Sequence, residues 1–240
     1  MTLHRQLITS KNNTIDIITE DIQAQEHFNN PSNFADIVLN QINTDRFMDP
    51  IFEDEENLTI LDIGGNIGLF SLYAQDRCSA IYTIEPTPNH FNILCELTKD
   101  YKNVTPLNYA VSNKDKSINF YINEENTTMN SLANTYGKKV KVQAKTIRSI
   151  IDELGLKHVD FIKCDIEGSE MIALTHDTVS SVKDIVDAWF IEVHSTNKTA
   201  TQEEFEYDVE NNRQILTTIF SNVGYQVQKC RDDGLYIFKD

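Results

Sequence analysis

The sequence predicts an α/β fold, a mostly parallel seven-stranded sheet closed by a C-terminal antiparallel hairpin, on three observations. From Leu58 onward, short β-rich apolar runs alternate with longer helical ones, the pattern of strand–helix–strand crossovers with helices on both faces of a sheet. The first of these runs ends in a glycine-rich turn, Asp62-Ile63-Gly64-Gly65-Asn66-Ile67-Gly68. The chain closes with two strand-like runs, GYQVQKC and GLYIFKD, around the turn residues RDDG, which reads as a hairpin.

Each element has its own local signal. Residues 1–57 are polar and Asn-rich; within them FADIVLNQINTDRF (34–47) sets Phe34, Ile37, Val38 and Ile42 at helical spacing. This segment is expected to be an N-terminal helical extension or lid, with 58–240 as the main domain. LTILDIG (58–64) is apolar and stops at glycine, as a buried parallel strand does. IGLFSLYAQDR (67–77) reads as a helix and AIYTIEP (80–86) as a strand stopped by Pro86. PNHFNILCELTK (88–99) reads as a helix with proline in its first turn. VTPLNYAVS (104–112) is expected to be a third strand, with its proline marking an edge or irregular start. SINFYIN (117–123) and KVKVQAKTI (139–147) alternate as strands, and IRSIIDELGL (147–156) is an amphipathic helix. VDFIKCDIEG (159–168) repeats the design of the first strand. GSEMIALTH begins a helix, AWFIEVH (188–194) is a fifth core strand, and Glu203–Val223 is helical.

The bulk numbers narrow the function classes. A chain of 240 residues with 40% hydrophobic residues closes one substantial core. Acidic residues outnumber basic ones 37 to 21, for a formal charge of −16 and a pI near 4.7. Such a field repels phosphate backbones and anionic membranes, so neither nucleic acid nor membrane is expected as a partner. The cysteines Cys78, Cys95, Cys164 and Cys230 have no CxxC pairing or zinc spacing. The first residues lack the apolar stretch of a signal peptide, and a cytoplasmic location is expected. The oligomeric state is open, a homodimer included.

The glycine turn is the first candidate site. Glycines there allow a tight bend and close approach of a ligand to the backbone, although a strand–helix turn uses them with no ligand at all. Two further residues raise its significance. Glu85 ends the next strand, where a carboxylate accepts hydrogen bonds from the ribose hydroxyls of an adenosine. Asp62 opens the loop, which lacks the third glycine of G-x-G-x-x-G. A diphosphate is disfavoured beside that acid, whereas a sulfonium carrying an amino group is favoured, held by Asp62 directly or through water.

DIGGNIGLFSL, IEP, NYAVS and DFIKCDIEGSE, in this order and spacing, closely resemble the FkbM family of methyltransferases from about Leu58 to Leu174. The closing hairpin agrees with this likeness better than with dinucleotide-binding domains. The resemblance implies a Rossmann-like class I methyltransferase fold and S-adenosylmethionine as cofactor. It also implies O-methylation of a hydroxyl on a sugar, polyketide, glycan or other small metabolite. By resemblance Asp62, Gly64, Gly65, Asn66 and Gly68 form the methionine-side loop. Glu85 and Pro86 hold the ribose, and Asn108, Ala110 and Val111 border the adenine. Asp165 touches either the donor or the acceptor.

Methyl transfer to an alcohol needs its proton removed as attack proceeds. His194, on the same strand face as Glu192, is the expected base, with Asp165 or Glu167 as alternatives. A cation held by Asp165, Glu192 and His194 would acidify the hydroxyl instead, but three separated residues make no metal motif, and no metal is expected. Glu167 and Glu170 also suit a helix N-terminus simply by offsetting the macrodipole. The link 123–137 is either an acceptor-facing loop or a plain hairpin connection. His4, His27, His90, His158 and His176, with no acid or thiol partner visible in the sequence, are expected to be structural or surface residues. The alternatives are an NAD(P)-dependent oxidoreductase on a related sheet and a non-catalytic binding member of the fold.

Overall fold

The computed structural model describes residues 3–9, 14–20, 56–122, 138–196, 202–230 and 233–239. Strands β1 (Leu3–Thr9) and β2 (Thr14–Glu20) pair antiparallel, from Thr9↔Thr14 out to Leu3↔Glu20. No strand is expected from the sequence in this stretch. Its β-branched residues, as in TIDIITE, favour the extended backbone. The helix expected over 34–47 and the link 123–137 lie outside the described residues.

The main domain follows the expected alternation. Strand β3 (Leu58–Ile63) leads to helix α1 (Leu69–Ala74) and a 3₁₀ turn, then β4 (Cys78–Ile84), α2 (Pro88–Thr98) and β5 (Val104–Leu107). Next come β6 (Ala110–Val111), β7 (Lys116–Ile122), β8 (Lys138–Lys145), α3 (Ile147–Leu154) and β9 (Val159–Cys164). The chain ends with α4 (Glu170–Ala173), α5 (His176–Val182), β10 (Val186–Glu192), α6 (Gln202–Val223) and the strands β11 (Gln226–Lys229) and β12 (Gly234–Phe238). The seven-stranded sheet runs β11-β12-β10-β9-β3-β4-β5. Its neighbours from β10 to β5 are parallel, and the β11–β12 hairpin attaches antiparallel.

The third strand departs from expectation. VTPLNYAVS divides into β5, on the edge of the main sheet, and β6, in a separate three-stranded sheet ordered β6-β8-β7. Asn108 marks the break: its Nδ2 donates to the backbone oxygens of Glu85 at 2.8 Å and Pro86 at 3.4 Å, fastening the turn to the end of β4. The expected helix after Gly168 likewise splits into α4 and α5. Between them Thr175 caps the second, its hydroxyl accepting from the Thr178 N–H at 3.3 Å.

Central strands flanked on both sides are apolar along their length, because each face is covered. Ile60, Leu61, Phe161, Ile162, Trp189, Phe190 and Ile191 are at most 1% exposed. Each such side chain contributes about 1.5–3 kcal/mol by leaving water. Trp189 from β10 meets Phe220 of α6 and Tyr225 edge-on, with centroids 5.2 and 6.5 Å away. This aromatic cluster anchors the long C-terminal helix to the sheet. None of the four cysteines forms a disulfide; burial pushes the Cys78 thiol up to about 12. No helix among the described residues is long and apolar enough to cross a membrane.

Trp189→Ala is expected to lower stability by about 3–5 kcal/mol in chemical denaturation. Tyr207→Ala, on the exposed face of α6, should stay within about 0.5 kcal/mol. Equal losses from both would overturn the assignment of Trp189 as the anchor.

Candidate functional site

Strand register brings the site together. In the parallel ladder Ile84 of β4 lies opposite Ile63 of β3, Ile63 opposite Cys164 of β9, and Cys164 opposite Ile191 of β10. Each strand's next residue therefore falls on one line across the carboxyl edge: Glu85, Gly64, Asp165 and Glu192. All four line one cleft of about 180 Å³. Ligands of open α/β sheets bind at this edge.

The glycines serve distinct purposes. Gly64 takes φ +81°, and a Cβ there would stand 1.7 Å from the backbone oxygen of Asp165. Only glycine lets the β3 and β9 loops approach so closely. Gly65 and Gly68 do not line the cleft; side chains there would strike Thr83 and Leu94, so they serve the packing of loop and helix. Asn66 and Glu167, one in each loop beside the cleft, hold φ +51° and +54°, left-handed conformations that cost of order 1–3 kcal/mol at functional sites.

Of the other expected cofactor residues, Pro86, Ala110 and Val111 also line the cleft. Asn108 instead secures the turn, as described above. Asp62 is fully buried beneath the loop. Its Oδ2 accepts from the Ser71 hydroxyl at 2.7 Å, while Oδ1 has no hydrogen-bond partner. Burial raises its pKa, with Lys163 and Ser71 pulling the other way.

Glu85 is 5% exposed. Its Oε1 accepts from the Thr87 N–H at 2.7 Å and its Oε2 from the Asn66 N–H at 3.0 Å. Burial outweighs these bonds and pushes the carboxyl up to about 7. His90, expected to be merely structural, lines the cleft with Nδ1 3.9 Å from Glu85 Oε1. Its place in the first turn of α2, just past the end of β4, was the available signal. Tyr109 and Phe120 add aromatic walls that the sequence did not reveal.

The opposite wall is acidic. Asp165, Glu167 and Glu192 line it, and the buried Lys163 reaches Asp165 Oδ2 at 3.2 Å. Burial, then the charge of Asp165, pushes Glu192 up to about 7. His194 stands behind this wall rather than in the cleft lining. Its Nδ1 is 3.1 Å from Glu170 Oε1. Its Nε2 lies 3.7 Å from Glu192 Oε1, 3.8 Å from Asp165 Oδ1 and 3.9 Å from Glu167 Oε2. Burial alone would lower the imidazole pKa, but the Glu170 bond and the surrounding carboxylates raise it to about 10. The expected base of ordinary pKa is therefore an imidazolium at neutral pH in this arrangement. Glu170, for which the macrodipole offered a sufficient account, also accepts from the Ile166 N–H at 3.0 Å. Its bonds therefore hold both the loop and the histidine. Of the remaining histidines, His158 pairs with Asp160 at 2.9 Å and Asp187 at 3.2 Å, acid partners the sequence did not reveal. His176 approaches Asp177 at 3.7 Å. His4 and His27 lie outside the described side chains.

The lining fits an adenosyl sulfonium better than a dinucleotide. It carries four carboxylates and, among the described residues, no lysine or arginine, so a diphosphate meets only repulsion while a cation is attracted. Glu85 retains acceptor capacity for ribose hydroxyls, and Ile84, Ala110 and Val111 supply apolar surface for a base.

Glu85 sets a pH window. Its folded pKa of about 7 exceeds the ordinary 4.5, so ionising it costs stability, absent at low pH and complete above about 7. The stability of ligand-free protein is expected to fall through this carboxyl between about pH 4.5 and 7. Glu85→Gln should flatten that slope in urea titrations at stepped pH; an unchanged slope would disprove the assignment.

Among curated proteins none matches the sequence. Fibrillarin from Aeropyrum pernix, solved with natively bound S-adenosyl-L-methionine, is 13% identical with a TM-score of 0.44, over 77% of this chain and 66% of that one. A precorrin-6y C5,15-methyltransferase from Geobacter metallireducens is 13% identical with a TM-score of 0.43, over 79% of this chain and 84% of that one. A SAM-dependent methyltransferase from Aquifex aeolicus is 13% identical with a TM-score of 0.44, over 87% of this chain and 97% of that one. The family described as the methyltransferase FkbM domain matches residues 62–227, from the acid that opens the glycine loop to the terminal hairpin. The chain belongs to this family of methyltransferases, and its methyl donor is S-adenosylmethionine.

Proposed function

We propose that the protein methylates a hydroxyl of a sugar, polyketide or similar small metabolite. The observation that carries this reading is the row Glu85, Gly64, Asp165 and Glu192 along one cleft. In this reading Glu85 is the adenosine-binding carboxylate at one end, and Asp165 and Glu192 are acceptor-facing acids at the other.

When bound, S-adenosylmethionine supplies an electrophilic methyl carbon on a sulfonium. Glu85 accepts hydrogen bonds from ribose hydroxyls, and the loop that Gly64 lets close onto the Asp165 backbone borders the methionine portion. Asp165, Glu167 and Glu192 make the field at the opposite wall negative, which favours a cation there and disfavours an anionic acceptor. These carboxylates, not His194, line the cleft, so by position one of them takes the proton of the acceptor hydroxyl. His194 orients them from behind. Holding acceptor and donor in line and excluding water supplies the rest of the rate.

S-adenosylhomocysteine is expected to raise the melting temperature, while NAD(H) leaves it unchanged. Stabilisation by the dinucleotide alone would return the oxidoreductase reading. With a panel of hydroxyl-bearing sugars and polyketides, Glu192→Gln should reduce turnover by about 10²–10⁴-fold without loss of S-adenosylhomocysteine binding. Gly64→Ala should weaken that binding. Donor binding with no turnover on any acceptor, amines included, would favour a non-catalytic role.

A further inference from the structure

We infer that Asp165, Glu167 and His194 form a binding site for one divalent transition-metal ion at the acceptor end of the cleft. One oxygen from each carboxylate and one imidazole nitrogen lie within 4.8 Å of one another. His194 Nε2 stands 3.8 Å from Asp165 Oδ1 and 3.9 Å from Glu167 Oε2. These separations are too long for hydrogen bonds, yet they suit donors sharing an ion. An ion about 2.0–2.2 Å from each donor holds neighbouring donors roughly 3–4 Å apart.

The surroundings orient this set. Lys163 occupies Asp165 Oδ2, while Oδ1 is the oxygen nearest His194 Nε2. Glu170 engages the far nitrogen, Nδ1, at 3.1 Å. A carboxylate in that position fixes ring orientation and strengthens imidazole as a ligand. Glu170 is itself 1% exposed, and its Oε2 is buried without a hydrogen-bond partner. The ion takes the place of the proton that Nε2 carries without it, and that proton is released to solvent. Glu192 Oε1, 3.7 Å from Nε2, adds a fourth carboxylate to the neighbourhood.

Two carboxylates and an imidazole suit Mn²⁺, Fe²⁺ or Zn²⁺ better than Mg²⁺ or Ca²⁺, which take oxygen ligands. No metal-ligand spacing is visible along the chain because the ligands come from two separate strand ends. Asp165 and Glu167 line the cleft as well as this site, so a bound ion meets an acceptor oxygen. That catalytic use rests on the methyl-transfer reading; the site itself does not.

The test titrates Mn²⁺ into the chelator-treated full chain, following free aqueous Mn²⁺ by electron paramagnetic resonance. One equivalent is expected to bind, with nitrogen hyperfine coupling from a bound imidazole. His194→Ala should abolish the coupling and weaken binding at least tenfold. Should that variant fail to fold, Glu167→Gln should weaken binding at least tenfold in its place. Glu170→Gln, which leaves the three ligands intact, should weaken it by about 10–100-fold. His158→Ala, in the surface cluster with Asp160 and Asp187, should change nothing. Absence of bound Mn²⁺, coupling that survives His194→Ala, or loss of binding in His158→Ala would each overturn the inference. Thermal stabilisation by S-adenosylhomocysteine, measured without metal, keeps the two readings apart. If it persists while Mn²⁺ fails to bind, the metal site falls and methyl transfer stands. If Mn²⁺ binds without such stabilisation, the site stands and the methyl-transfer reading falls.

Discussion

The contact on which the rest depends is the approach of Gly64 to the Asp165 backbone. The Asp165 N–H donates to the Ile63 oxygen at 3.0 Å, extending the β3–β9 ladder one step beyond the strands. The Gly64 and Gly65 N–H groups both donate to the Ile84 oxygen, at 2.9 and 3.1 Å. These bonds hold the ends of β4, β3 and β9 at one height, and β10 follows through its register with β9. The cleft is the space above that line. A side chain at Gly64 would force the two loops apart, separating Glu85 from the acids of the opposite wall.

The same line concentrates charge. Asp62, Glu85, Lys163 and Glu170 are each at most 5% exposed, and burying ionised groups is costly unless they are paired. Lys163 reaches Asp165 at 3.2 Å and lowers the carboxyl pKa of both Asp62 and Glu192, so one cation serves several acids. Acids nevertheless predominate, and burial, with the neighbouring acids behind it, raises the carboxyls of Glu85 and Glu192 to about 7. A cleft built this way is strained electrostatically when it holds no cation. A positively charged ligand relieves that strain, whereas a diphosphate adds to it.

Local signals were legible in the sequence. An apolar run stopped by glycine gave β3, Pro88 gave the start of α2, and RDDG gave the terminal hairpin. Glu85, Asp165 and Glu167 could be placed because each follows directly on a recognisable strand. What could not be read depends on strand order or on long-range pairing. Glu170 and His194 are 24 positions apart, and only the neighbouring positions of β9 and β10 bring them together. Lys163 lies inside the run VDFIKCDIEG, and its service to the surrounding acids needed three dimensions to emerge. The division of VTPLNYAVS rests on one asparagine side chain reaching back to β4, and no periodicity encodes that bond. The β1–β2 hairpin was missed for a different reason: a polar, Asn-rich context masked a β-branched run.

That division of the third strand also explains how the cleft acquires its outer wall. Had residues 104–112 continued as one strand, Ala110 and Val111 would have extended the sheet edge beyond β5. The Asn108 turn instead sends them into the β6-β8-β7 sheet, where Ala110 and Val111 pair with Ala144 and Lys145. Phe120 of β7 lines the cleft from this second sheet. The glycine loop and the acids thus belong to the main sheet, which is held by many buried apolar side chains. Part of the opposing wall belongs to a smaller sheet with a smaller core of its own. Fewer buried contacts give an element a lower opening free energy, so the side sheet is the part of the cleft expected to open at the lower cost.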